Sequence, residues 1–150
     1  MAFIWLKFVH VLLAIVAVGF NVSYGLIISR ARKAGRVELT FALKTVKVMD
    51  DYVANPAYVL LFLSGFAMLH LSGIPIGTRW VHMSMALLFV AMALGVGLYS
   101  PTLRRQIATL EARGPEDPEF RTLSTRGAIL GAILGVITLA IVYLMIFKPS

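Results

Sequence analysis

The sequence predicts an all-α fold, a bundle of four transmembrane helices with both termini on the outer side of the membrane. Three observations lead there. Of the 150 residues 59% are hydrophobic, against roughly 45–50% in soluble domains. The excess is gathered into four blocks, each near the roughly 20 residues needed to cross a hydrocarbon core. The basic residues cluster in two of the segments between the blocks. These segments are too short for a second globular unit, so residues 1–150 form a single domain.

The first span covers about residues 3–28. Its start, Met1-Ala2-Phe3-Ile4-Trp5-Leu6-Lys7, lacks the basic region of a signal peptide, and no small-residue cleavage site ends the apolar run. It is therefore read as a membrane helix. Arg30, Arg32, Lys33 and Arg36 follow it. From Val37 to Val53 apolar residues mix with Lys44, Lys47, Asp50 and Asp51, the pattern of a helix that lies in the interface or extends into the cytoplasm. Asn55-Pro56 opens the second span, 55–71, with proline in the first turn, where its missing N–H costs nothing. Asp50 and Asp51 fit a role in capping or orienting that span, with partner binding as the alternative.

The turn-rich segment Ser72–Thr78 separates the second span from the third, 80–99, which is expected to stop at Ser100-Pro101. A charged loop is expected from Thr102 to Arg126, broken at Gly114-Pro115 and Asp117-Pro118. The fourth span covers 127–147. Its Gly127, Gly131 and Gly135 form a stripe that reads as a close-packing face, matched on the first span by Ala14, Ala17, Asn21 and Gly25.

Orientation follows from charge. The first connecting segment holds six lysines and arginines and the third holds five arginines, while the other side has only Lys7, Arg79 and Lys148. Positive segments stay in the cytoplasm, so the chain is expected in the inner membrane with both termini periplasmic. Trp5, Trp80 and Tyr143 then fall near the outer boundary, where interfacial aromatics belong. The net charge of +7 belongs to this topology, not to a nucleic-acid-binding face.

The chain has no cysteine, which excludes disulfides, thiolate metal sites and cysteine nucleophiles. No span carries a charged residue at mid-depth, and there is no nucleophile–base pair or phosphate loop. A self-contained hydrolase or transferase is not expected. What remains are the three histidines, His10, His70 and His82, all placed toward the outer side. His10 is the deepest and needs a partner in lipid. Small Ala14 and Ala17, with Asn21 further along, share its face and leave room for a flat ligand. A neutral imidazole here suits an axial ligand to haem iron, with His82 as the second ligand and His70 as the lesser candidate. Asn21 is included among the cofactor-binding candidates. Met68, His70, His82, Met83 and Met85 also bring thioethers and imidazoles together across one short loop, a donor set suited to Cu(I).

Leu6-Lys7-Phe8-Val9-His10, the basic end of the first span, Asn55-Pro56 and Trp80-Val81-His82 resemble a group of small bacterial four-helix membrane proteins. The similarity is to the predicted integral membrane family called domain of unknown function 2269, over essentially the whole chain. More distantly it extends to the haem-binding membrane protoporphyrinogen oxidase and to the copper-resistance D membrane domain. The resemblance implies haem b binding at His10. The oxidase family tends to carry a lysine two residues after the third-span histidine, where this chain has Ser84, so that enzyme's activity is not implied.

The sequence thus points to a haem b-binding membrane protein near the outer face, serving electron transfer or haem handling. The alternatives are a copper-handling membrane protein and a cofactor-free accessory subunit of a larger membrane complex. Beyond lipid, the partners expected are such a complex or a second copy of the chain.

Overall fold

The computed structural model describes residues 1–149 and is helical almost throughout, with no strand among the described residues. Helix α1 spans Ala2–Ala34 and α2 spans Arg36–Met49; a π-helical turn, Asp50–Ala54, leads into α3, Asn55–Ser72. Helix α4 spans Arg79–Leu94; a second π-turn, Gly95–Tyr99, leads into α5, Ser100–Arg113, and α6 spans Pro118–Phe147. Four continuous rods result, Ala2–Ala34, Arg36–Ser72, Arg79–Arg113 and Pro118–Phe147, each long and apolar enough to cross a membrane. They pack as α1 on α3 and α4 on α6, with α1 against α6 joining the two pairs.

Each rod exceeds the roughly 20 residues that a bilayer requires. The excess gathers at one end, where the first and third connections lie. There α2 and α5 pack on each other and on the ends of α1 and α6. Leu39, Ala42, Leu43, Val46 and Lys47 are the buried side of α2, the three-and-four spacing of a helix with one covered face. Leu103 and Leu110 of α5 and Phe120 of α6 complete this core. The segment after the first span is therefore an extension of the second membrane helix and does not lie flat in the interface. The expected charged loop from Thr102 to Arg126 is also helix, apart from the connection at residues 114–117. Its arginines obscured a buried side made of Leu103, Gln106 and Leu110.

Two glycines make the reversals at this end. Gly35, with φ 145°, and Gly114, with φ 90°, adopt backbone conformations that side chains with a Cβ rarely enter. Asp117 caps α6, accepting hydrogen bonds from the backbone N–H of Glu119 at 2.9 Å and of Phe120 at 3.3 Å. Lys44 pairs with Glu111, and the Arg36 guanidinium donates to the Glu111 carbonyl at 2.8 Å, joining α2 to the end of α5.

The two π-turns stand in corresponding places, each followed by a polar residue and a proline, Asn55-Pro56 and Ser100-Pro101. Proline in a helix interior removes a hydrogen bond and its ring crowds the carbonyl four residues back. The wider turn accommodates this: the N–H of Asn55 bonds to the carbonyl of Asp50, and that of Ser100 to Gly95, five residues back. Ser100-Pro101 therefore does not stop the third span; the helix runs through it.

Along the rest of the bundle large apolar side chains remain exposed, among them Ile15, Val22, Leu63, Phe66, Phe89, Val136 and Leu139. In a chain whose four rods all qualify as membrane spans, this surface faces lipid. At the terminal end Trp5 and Tyr143 are exposed, and the Lys148 ammonium lies 5.3 Å from the Trp80 ring centre.

Candidate functional site

His10 lies half-buried on α1, facing α3. Its Nδ1 is 2.8 Å from the Ser64 hydroxyl oxygen. That hydroxyl oxygen also lies 2.6 Å from the carbonyl of Leu60 and 3.2 Å from that of Leu61, and it has a single hydrogen to donate. With that hydrogen on a backbone carbonyl, Ser64 Oγ accepts from His10 and the imidazole proton is on Nδ1. The Nε2 atom then carries its lone pair, and it takes no hydrogen bond among the described residues. Gly65, beside Ser64, lets the ring lie close to α3: a Cβ there would stand 3.4 Å from His10 Cε1.

The other residues singled out from the sequence are placed elsewhere. His70 is exposed near the end of α3. His82 is exposed on α4, whose inward side is made by Val81, Ser84, Leu88 and Ala91. One residue on from Val81, it is turned about 100° from that residue. Met83 is exposed, while Met68 and Met85 are half-buried. Met68 and His70 lie near the end of α3, and His82, Met83 and Met85 near the start of α4, which also touches α3. Among the described residues no group of three or more histidines, aspartates or glutamates is gathered as for a metal ion. Asn21, eleven residues beyond His10, is about 16 Å further along α1 and does not share its surroundings.

Asn21 lines a cavity of about 450 Å³, bounded by α1, α6 and the two π-turns, with residues of α3, α4 and α5 completing it. The glycine stripe forms one wall. Gly135 faces Asn21, where a Cβ would come within 3.3 Å of Oδ1; Gly131 faces the Tyr99 ring, and Gly127 faces the Gln106 amide. The stripe read as a packing face thus keeps α6 clear of polar side chains as well as admitting close approach. The sequence reading missed the polar group that converges here: Asp50, Asn55, Tyr24, Tyr58 and Tyr99. A signal was present in the two matching X-Pro pairs, Asn55-Pro56 and Ser100-Pro101. π-turns recur at functional sites, but a π-turn is not visible in residue order.

With this geometry in place, the sequence matches the family described as predicted integral membrane protein (DUF2269) over residues 4–149. The chain belongs to that family. The match covers all four rods and both π-turns, so the whole bundle is the DUF2269 unit and the chain is a multi-pass integral membrane protein. No curated protein and no solved structure matches it.

Proposed function

We propose that this membrane protein binds haem b through His10 and uses it for electron transfer or haem handling. The observation that carries this reading is the 2.8 Å contact between His10 Nδ1 and Ser64 Oγ, which leaves Nε2 bare when the Ser64 hydrogen is on the Leu60 carbonyl. Metal-ligating histidines are held this way, one nitrogen donating to a neighbouring acceptor and the other facing the metal. His10 would hold the iron and Ser64 would fix the ring, which packs beside Gly65 of α3. Haem supplies one-electron exchange, so no acid–base pair is required of the chain. The resemblance at Lys7-Phe8-Val9-His10 supports the same residue.

Absorption spectra of the detergent-purified protein, produced with ample haem, test the reading. A Soret band is expected, with α and β bands on dithionite reduction. Stoichiometric copper without a Soret band would favour the methionine and histidine residues of α3 and α4. Absence of any bound cofactor would favour an accessory-subunit role.

The inner membrane, with termini outside, is part of the same proposal. Basic residues of α2, α5 and the ends they pack on support a cytoplasmic location for that end. A reporter fused to the C-terminus should behave as external, and one inserted at Arg113 as cytoplasmic. The opposite pattern would reverse the assignment and place His10 near the cytoplasmic face.

A further inference from the structure

The cavity between α1, α6 and the two π-turns holds an electrostatic imbalance. Asp50 is only 5% exposed. Its carboxylate meets neutral donors, Asn55 Nδ2 at 3.3 Å and the Ser100 hydroxyl. It forms no ion pair among the described residues. The Lys47 ammonium is within electrostatic reach of Asp50 but makes its direct contacts to Asp51 and, at 2.8 Å, to Ser100, and Arg104 stands 3.9 Å from Asp51. Arg32 also lines the cavity, but its guanidinium donates to Ser124, and both residues border the adjoining surface cleft. A buried carboxylate with no cation in direct contact is costly, and a cation seated against it would relieve that cost.

A second observation is independent of the first. Tyr24 is 6% exposed, and its hydroxyl is the one buried side-chain polar atom without a hydrogen-bond partner among the described residues. Tyr24 lines the same cavity as Asp50, together with Tyr58 and Tyr99. Aromatic faces attract cations, most strongly where water is excluded. The volume of about 450 Å³ falls within the usual range of small-molecule sites. One bridging water, which takes roughly 30 Å³, would leave most of it unfilled.

We propose that this cavity binds a small primary amine in its ammonium form, with the Asp50 carboxylate as counter-ion and Tyr24, Tyr58 and Tyr99 around it. A primary ammonium has three N–H groups and can donate one to the carboxylate and another to the Tyr24 oxygen, which a quaternary ammonium cannot do. The site is separate from His10, which does not line the cavity, and stands whether or not haem is bound there.

Calorimetric titration of the detergent-purified full chain with n-butylammonium chloride tests this. Sodium chloride, n-butanol and sodium butyrate at matching concentrations serve as comparators. Saturable binding and a raised melting midpoint are expected with the ammonium salt alone. Asp50→Asn, which keeps shape and removes charge, should weaken binding at least about tenfold, the scale expected when one partner of a buried charge pair is removed. Gly131→Leu provides a second arm. A Cβ there meets nothing closer than Tyr99 Cε2 at 3.9 Å, so the first carbon fits and the rest of the side chain takes up cavity space. Binding should be lost with helix content retained, and any signal that persists in this variant measures partition into detergent. The proposal is overturned by absence of saturable binding to the wild type, by equal binding of butanol, or by unchanged affinity in Asp50→Asn. Should Asp50→Asn not fold, unchanged binding by Gly131→Leu overturns it.

Discussion

Replacing His10 with alanine should remove the Soret band altogether, while the bundle remains folded. The side chain is half-buried, and its one hydrogen-bond partner, Ser64, keeps a bond of its own to the Leu60 carbonyl. The substitution therefore leaves no buried hydroxyl without a partner, and its effect falls on the proposed iron ligand. Ser64→Ala is the more discriminating variant. It keeps the imidazole but releases the ring and the tautomer, and loss of a partner of this kind typically weakens metal binding by about 10–100-fold. Haem should thus bind to Ser64→Ala but be lost on dilution more readily than from the wild type. His70→Ala and His82→Ala alter exposed residues. Bound haem that turns from low to high spin in one of them identifies the second ligand. A wild-type Soret band in His10→Ala would remove His10 from the site, and Ser64→Ala with undiminished affinity would remove the tautomer argument.

The four spans were legible because the bilayer imposes a length and a composition that residue order displays directly. The lipid-facing residues Ile15, Phe66, Phe89 and Val136 announce themselves by being apolar where a soluble protein would be polar. The helical end formed by α2 and α5 was only half legible. Leu39, Leu43 and Val46 show helical spacing, but Arg104, Arg105 and Arg113 made the corresponding side of α5 look like a loop. The prolines were misread in one case for a physical reason: Pro56 opens an apolar run and Pro101 ends one, yet both follow a widened turn that lets the helix continue. His10 was visible as a polar group in an apolar run. Its partner Ser64 was not, because a serine in a membrane helix is commonplace and only the pairing of α1 with α3 selects it. The cavity was least legible of all. Asn21, Asp50, Tyr99, Gln106 and Gly131 come from α1, the two π-turns, α5 and α6, and none is diagnostic until the packing brings them together.

Leu43→Ala should be among the most destabilising substitutions in the chain. Leu43 is fully buried, on α2 facing the core that Leu103 and Leu110 of α5 help to form. Removing such a side chain costs about 2–5 kcal/mol, the larger part arising where the surroundings cannot close the cavity. Against the usual total of about 5–15 kcal/mol, that is a large fraction. Leu63 on α3 makes the comparison: it is 56% exposed on the lipid-facing side, and its truncation leaves no enclosed void, so Leu63→Ala should change the melting midpoint little. The effect of Leu43→Ala should also reach the cavity. Val46 and Lys47 lie one turn beyond Leu43, and Lys47 reaches Ser100, the first residue of α5 after the second π-turn, so the packing of α2 on α5 sets where the two turns meet. A loosened α2 would let Asp50 move away from Tyr24 and Tyr99. Thermal melting of the two variants in one detergent checks the first claim, and equal midpoints would show that α2 is not held by a packed core. Butylammonium titration below the melting range checks the second: Leu43→Ala should bind more weakly than Leu63→Ala, although neither residue lines the cavity.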